Sequence, residues 1–457
     1  MTYQKNQSIE LTITDLGSEG EGIGKTDAFT WFIKDAVPGD RIRASVMKVK
    51  KSYGFARLQE IITPSPDRIK PVCPVAGKCG GCVLQDMRYE AQLSFKENKV
   101  RNNIMRIGGF QDAQVLPVIG MENPFRYRNK AEIPAGLDRA GHTAAGFYAG
   151  HSHFIVPCED CLLEFPENRD ILKTVTDWMK EFRISPYDEE KHTGLIRHIL
   201  IRKGFSTGEI MVCLIAFSGK VPHTEELCRC LTGISGIKTV ALNINRKPGN
   251  VILGDETRTL AGSGFITDTI GSVSFRISAQ SFYQVNSAQT EKLYRKVLEY
   301  AGLTGKETVW DLYCGIGTIS LFLAKEAAKV YGVEIVPQAV EDARKNAERN
   351  GIRNAEFFTG KAEEVLPEQL KSHGAHADVI VTDPPRKGCD EKCLQTMLEM
   401  KPKKIVYVSC DSATLARDLK ILCASGEYTL EKAQPVDMFP QTAHVETVVL
   451  MSRVEGK

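Results

Sequence analysis

Three folded parts in series are predicted by this sequence: a small N-terminal β-barrel, a central mixed α/β domain carrying a cysteine cluster, and a C-terminal Rossmann-like α/β domain on a parallel sheet. Short alternating strands punctuated by glycine and Pro-Gly turns fill the first 63 residues, and a tight run of cysteines follows. From Thr308 onward, strands and helices alternate in regular succession. The length agrees, because 457 residues at about 150 residues per domain make two or three domains.

In the first part, residues 1–63, Ile9, Leu11 and Ile13, then Ile42, Ala44 and Val46, then Phe55, Arg57 and Leu58 mark strands. Gly20 to Gly24 and Val37-Pro38-Gly39-Asp40 supply the turns. This is the pattern of a small barrel of the oligonucleotide-binding sort. The aromatics Phe29, Trp31, Phe32, Tyr53 and Phe55 stand among Lys48, Lys50, Lys51 and Arg57, a mixture suited to stacking bases and holding phosphates, although some of the rings must fill the core. Residues 41–70 hold eight Lys or Arg against Glu60 and Asp67, a local basic excess that the net charge of +2 conceals.

Thr63-Pro64-Ser65-Pro66 marks a boundary, and residues 64–275 form the central domain. It opens with the cysteines, continues with a helix over about 89–107 that is a candidate to pack on the C-terminal domain, and then mixes strand-like runs such as Ile196 to Arg202, Ile210 to Ala216 and Val240 to Ile244 with a few helices. With 42% hydrophobic and 25% charged residues and no apolar run near the roughly 20 residues of a membrane span, membrane insertion is not expected. The first residues show no apolar segment or cleavage site of a secretory signal, so the cytoplasm is expected. In that compartment thirteen cysteines, an odd number, point to metal binding or catalysis rather than disulfides.

The C-terminal domain, residues 276–457, carries the cofactor signals. The strand Thr308-Val309-Trp310-Asp311-Leu312-Tyr313 runs into Cys314-Gly315-Ile316-Gly317-Thr318 ahead of an apolar helix. Such a glycine-rich turn lets a ligand approach the backbone. The next strand ends in Glu334, where a carboxylate can accept hydrogen bonds from both hydroxyls of an adenosine ribose. Ser320 replaces the third glycine of a dinucleotide fingerprint, which favours a nucleoside cofactor without phosphates, S-adenosylmethionine, over a nicotinamide. A third strand, Val379 to Thr382, delivers Asp383-Pro384-Pro385 to the same edge.

After Asp-Pro-Pro, enzymes that methylate exocyclic amines often place an aromatic, but here Arg386, Lys387 and Gly388 follow. Another strand, Lys404 to Val408, delivers Ser409-Cys410-Asp411 to the ligand edge. Carbon 5 of uracil is a poor nucleophile, and adding a thiolate to C6 turns the ring into an enolate able to attack a sulfonium methyl. Cys410 can supply that thiolate. The adduct must then lose its C5 proton to a nearby base, for which Glu446 is the natural candidate and His444 the competing one. Such chemistry requires a target nucleotide that is flipped out or single-stranded.

With these residues the sequence resembles the RNA 5-methyluridine methyltransferase family over nearly its whole length. The matches are Ser409-Cys410-Asp411-Ser412-Ala413-Thr414-Leu415-Ala416-Arg417-Asp418-Leu419, Asp383-Pro384-Pro385-Arg386-Lys387-Gly388, His444-Val445-Glu446-Thr447-Val448 and Ser281-Phe282-Tyr283-Gln284-Val285-Asn286. The resemblance implies Cys410 as nucleophile, Glu446 as the base, Gln284, Tyr313, Glu334 and Asp383 as cofactor contacts, and Phe282 near the target base. It also implies that the barrel is an RNA-binding TRAM domain and that Cys73, Cys79, Cys82 and Cys161 hold a 4Fe-4S cluster. Four thiolates also suit zinc, and spacing does not exclude it. Cys158 is an alternative fourth ligand, although Cys161-Leu162-Leu163 better matches the family's segment. Relatives with both TRAM domain and cluster mostly modify large-subunit ribosomal RNA, whereas those lacking both act on transfer RNA, so 23S ribosomal RNA is the implied substrate, with the chain acting as a monomer. Arg126-Tyr127-Arg128-Asn129-Lys130 adds a basic, aromatic segment that could also grip RNA.

Two rivals come from other classes. An iron–sulfur electron carrier or radical enzyme would use the cysteines, but radical enzymes space their first two cluster cysteines by three residues and here the spacing is five. A non-catalytic RNA-binding or ribosome-assembly factor would need only the barrel, and leaves Cys410 and Glu446 without a purpose.

Overall fold

A computed structural model describes residues 3–149, 152, 154–373 and 376–454. The barrel is closed, with strands in the order Ser8–Leu16, Gly22–Thr26, Phe29–Ile33, Tyr53–Thr63 and Arg41–Val49. Alternation along Ser8–Leu16 sends Ile9, Leu11 and Ile13 inward, where they meet Trp31, Ile42 and Val46. Of the barrel aromatics, Trp31 is core and donates its indole N–H to Thr26 Oγ1 at 2.7 Å. Phe32, Tyr53 and Phe55 instead cluster at the surface with centroids 5.7 to 5.8 Å apart, so the expected division between core and face runs between neighbours Trp31 and Phe32.

The irregular-looking middle of the chain forms one seven-stranded sheet, in the order Glu256–Gly262, Ile237–Ile244, Ile210–Ala216, Ile196–Lys203, Lys130–Leu137, Thr143–Tyr148, Ile155–Pro157. Ile196–Lys203 and Ile210–Ala216 are almost wholly buried, which is why they read as continuous apolar runs without alternation. In the segment Arg126 to Lys130, expected to be able to grip RNA, two residues are packed inward while Lys130 lines the cleft described below. Tyr127 and Asn129 are buried, Tyr127 donates to the Pro440 carbonyl at 3.1 Å, and Arg126 makes a bidentate pair with Asp160 at 2.6 and 2.7 Å.

The C-terminal sheet also has seven strands, ordered Ala355–Thr359, Lys329–Glu334, Thr308–Leu312, Val379–Thr382, Lys404–Ser409, Glu446–Arg453, Tyr428–Val436. Its first five are mutually parallel, and Glu446–Arg453 pairs antiparallel with both Lys404–Ser409 and Tyr428–Val436. Leu312 lies level with Val333 and with Thr382, and Thr382 with Tyr407, so four strands end along one edge. Chain order reverses at Thr308–Leu312, and the crevice outside strand ends at such a reversal is where open α/β sheets bind ligands. The helix Tyr89–Asn103, continued by a π-turn at Ile104–Gly108, lies against this domain, with Asn103 Nδ2 donating to Ser412 Oγ at 2.8 Å. No helix among the described residues is long and apolar enough to cross a membrane.

Candidate active site

The aligned strand ends line a cleft of about 840 Å³. Every residue expected at the catalytic and cofactor site lies on its wall: Gln284, Tyr313, Glu334, Asp383, Cys410 and Glu446, with Phe282 at the lip and His444 beside Glu446. Tertiary structure thus gathers four separate sequence motifs into one space.

At the cofactor end the backbone turns sharply. Tyr313 holds φ +64°, an uncommon conformation for a residue with a side chain, and Gly317 holds φ +82° with Ala343 and Phe357 only 3.2 Å from where a Cβ would stand. The Glu334 carboxylate is oriented by Gly315 N–H at 3.1 Å on one oxygen and Val336 N–H at 2.9 Å on the other, which leaves each oxygen a further lone pair for a ligand hydroxyl. Asp311 was missed by sequence reasoning. One of its oxygens accepts from Ser320 Oγ, while the other is buried without a partner, and burial pushes its carboxyl up to about 7. An orphaned acceptor at the base of the cleft suits a cationic donor such as an ammonium group, so the residues present fit S-adenosylmethionine. A lone Asp inside an apolar strand was the signal that could have found it.

The chemical end is assembled by strand register. Ser409 pairs with Thr447 in an antiparallel ladder, so Cys410 and Glu446, the next residues outward on each strand, stand opposite one another. Asp411 caps the helix Ser412–Leu422, accepting from Ala413 and Thr414 N–H at 2.9 and 3.0 Å, which places Cys410 just ahead of a helix N-terminus. Burial nevertheless pushes the Cys410 thiol up to about 12, helped by negative charge on Glu446 and Asp383 and opposed by Arg386. Glu446 is buried and Asp383 partly so at the cleft wall, and burial raises both above the carboxylate range. Their mutual repulsion raises Glu446 further, and Arg386 partly offsets it.

Arg386 lines the same cleft and acts electrostatically on both Cys410 and Glu446. The sequence singled it out only as a residue that is not aromatic. Its loop is braced by the motif that follows Cys410: Thr414 Oγ1 donates to the Arg386 carbonyl at 3.0 Å, Arg417 to the Lys387 carbonyl at 2.9 Å, and Asp418 accepts from Cys389 N–H at 3.0 Å. Phe282, 65% exposed, is presented by the turn after Ile277, where buried Arg202 donates to the carbonyls of Ser278 and Ser281, each at 2.6 Å.

A carboxyl whose folded pKa is raised contributes stability below its unfolded value, and loses it as pH rises through the folded one. Asp383→Asn should therefore leave stability near pH 4 little changed and raise it at pH 8 by on the order of 1–3 kcal/mol, several degrees in Tm, while destroying activity. Thermal melts of both proteins at the two pH values check this, and a less stable variant at pH 8 would refute it.

The cysteines behave differently. Cys73, Cys79, Cys82, Cys158 and Cys161 lie near enough to interact electrostatically, and the Gly81 N–H points at Cys79 Sγ at 3.4 Å. The Cys158 thiol hydrogen-bonds to that of Cys161, which lowers the pKa of Cys161. No group of three or more His, Cys, Asp or Glu side chains among the described residues stands close enough to hold a metal ion. The four expected cysteines lie in one region but do not form a cage, and Cys158 stands beside Cys161.

Comparison with known proteins agrees with this geometry. A family model described as tRNA (Uracil-5-)-methyltransferase matches residues 267–454, and the TRAM domain model matches residues 4–58. An uncharacterized RNA methyltransferase of Halalkalibacterium halodurans is 51% identical over 448 residues, 98% of this chain and 97% of its own. Another from Clostridium acetobutylicum is 50% identical over 455 residues, 99% of this chain and 98% of its own. The crystal structure of Pyrococcus abyssi tRNA (uracil-54, C5)-methyltransferase with S-adenosyl-L-homocysteine superposes with a TM-score of 0.77 at 29% identity, covering 97% of this chain and 99% of that one. With the barrel, the cofactor edge and near-complete coverage by relatives at half identity, the chain belongs to the S-adenosylmethionine-dependent RNA (uracil-5-)-methyltransferase family.

Proposed function

We propose that the protein methylates C5 of a uridine in RNA, with Cys410 as covalent nucleophile and Glu446 as the acceptor of the C5 proton. The observation that carries this reading is the placement of Cys410 opposite Glu446 at the ligand edge, with Arg386 lining the same cleft. S-adenosylmethionine supplies an electrophilic methyl group there, held by Gln284, Tyr313, Glu334 and Asp383, to which the orphaned Asp311 is added. The Cys410 thiol passes its proton to water in the open cleft, its sulfur bonds to C6 as the uracil enters, and the resulting enolate carbon C5 would take the sulfonium methyl, whose bond to sulfur breaks to leave a neutral thioether. Glu446 then removes the C5 proton, the C5–C6 double bond reforms, and the Cys410 sulfur leaves. Burial raises the pKa of Glu446, which makes its carboxylate a stronger acceptor for the C5 proton.

Large-subunit 23S ribosomal RNA is the first substrate choice, resting on the TRAM barrel together with the cysteine loop. Transfer RNA is the second reading, favoured by the whole-chain likeness to the Pyrococcus enzyme, whose match includes the barrel. Methyl transfer from labelled cofactor to unmodified ribosomal and transfer RNA in parallel, followed by nucleoside analysis, separates them. Label absent from 5-methyluridine in both RNAs would sink the proposal. Cys73, Cys79, Cys82 and Cys161 are further proposed to hold a 4Fe-4S cluster in a supporting role, since no step above moves an electron. Anaerobically purified protein should contain iron and sulfide, and zinc alone would contradict this.

A further inference from the structure

Glu446 is the first residue of its strand, and Val436 is its partner across the ladder. The intervening residues 437–445 form a loop that carries Phe439 and His444 into the cleft. At the base of this loop lies an ion pair the reaction does not use: Lys96 Nζ donates to Asp437 Oδ1 at 2.5 Å, and both side chains are 0% exposed. Lys96 also reaches the Phe439 carbonyl at 3.0 Å, and Tyr89 donates to the other Asp437 oxygen at 2.8 Å. All three contacts come from one helix, Tyr89–Asn103, which also grips the loop's far side, where Lys99 donates to the Ala443 carbonyl at 2.9 Å.

We propose that Lys96 and Asp437 are positioning residues for Glu446, clamping the 437–445 loop so that the carboxyl meets the C5 proton. This rests on Glu446 being the proton acceptor. Burial works against charge on Lys96, and Asp437 works to restore it, so the pair is held at a cost that desolvation imposes. Buried ion pairs can often be replaced by apolar side chains of similar volume with no loss of stability. Stability is thus a weak reason for charge at this point, whereas a fixed, directional link between helix and loop is what a catalytic strand entrance needs.

The test exploits that distinction with the double substitution Lys96→Met and Asp437→Leu, which leaves no lone buried charge. It should melt within a few degrees of the parent and bind S-adenosylmethionine with unchanged affinity. Its kcat should nevertheless fall between about ten- and a hundredfold, the scale of a small misplacement at the reacting centre. Methylated RNA should accumulate as a denaturation-resistant adduct on Cys410, because proton removal is the impaired step. Turnover at the parent rate without adduct would overturn the proposal and make the pair merely structural. If the double variant does not fold, Tyr89→Phe, which removes one hydrogen bond from Asp437 and keeps the ion pair, should show the same adduct at a lower level, and parental behaviour there would equally overturn it. Glu446→Gln serves as the reference: adduct in that variant but not in the clamp variants discards the clamp alone, whereas no adduct in Glu446→Gln discards the assignment of Glu446 and the clamp with it.

Discussion

Cys410→Ala is expected to abolish methyl transfer, by at least ~10⁴-fold in kcat, while S-adenosylmethionine binds as before. The size follows from the chemistry, since removing a nucleophile outright costs on the order of 10⁶ in well-studied hydrolases and C5 of uracil has no other route to nucleophilic character. The fold should tolerate the change. Cys410 is half-buried, the helix cap belongs to Asp411, and deleting one sulfur from a partly open cleft costs about 1 kcal/mol or less. Cofactor titration, labelled methyl incorporation and trapping on 5-fluorouridine RNA check the three parts of this expectation. An undiminished adduct in Cys410→Ala would remove the cysteine from its role.

Glu446→Gln should fail in another way. The amide keeps the shape of the carboxyl but cannot take the C5 proton, so addition and methylation proceed and the enzyme stops with methylated RNA attached to Cys410. A loss of about 10²–10⁴ in turnover is the usual scale for removing a general base. On a denaturing gel the protein should carry RNA, and the base should already bear the label. His444→Asn is the control, because His444 lines the same cleft and burial together with Arg386 and Lys99 lowers its pKa, leaving a neutral imidazole able to accept a proton. If His444→Asn traps RNA and Glu446→Gln turns over, the two residues exchange roles.

Much of this site was legible because its parts are local. Each motif couples a strand to the residue at its carboxyl end, and hydrophobic runs ending in Glu334, Asp383 and Cys410 mark those ends without knowledge of the fold. Asp311 and Arg386 were overlooked for opposite reasons. Asp311 lies inside a strand, where sequence suggests only burial, and Arg386 matters through its charge acting on Cys410 and Glu446. In the segment Arg126 to Lys130 composition could not tell which residues are buried, and Tyr127 and Asn129 prove to be, while Lys130 lines the cleft. For the cysteines the resemblance implied Cys73, Cys79, Cys82 and Cys161 with Cys158 as an alternative, and the folded chain sets Cys158 beside Cys161.

By itself the sequence determined the order of the three parts, the parallel character of the C-terminal sheet and the residue types at its ligand edge. Periodicity, turn chemistry and strand-end motifs are written within a few residues of one another. Tertiary structure alone decided that Cys410 stands opposite Glu446, that Arg386 lines the cleft with both, and that the helix Tyr89–Asn103 bonds to the loop that precedes Glu446. Lys96 and Asp437 are 341 positions apart, and no local propensity specifies such a contact. It exists because helix, loop and sheet bury their surfaces against one another, and the charge buried with them must then find its partner.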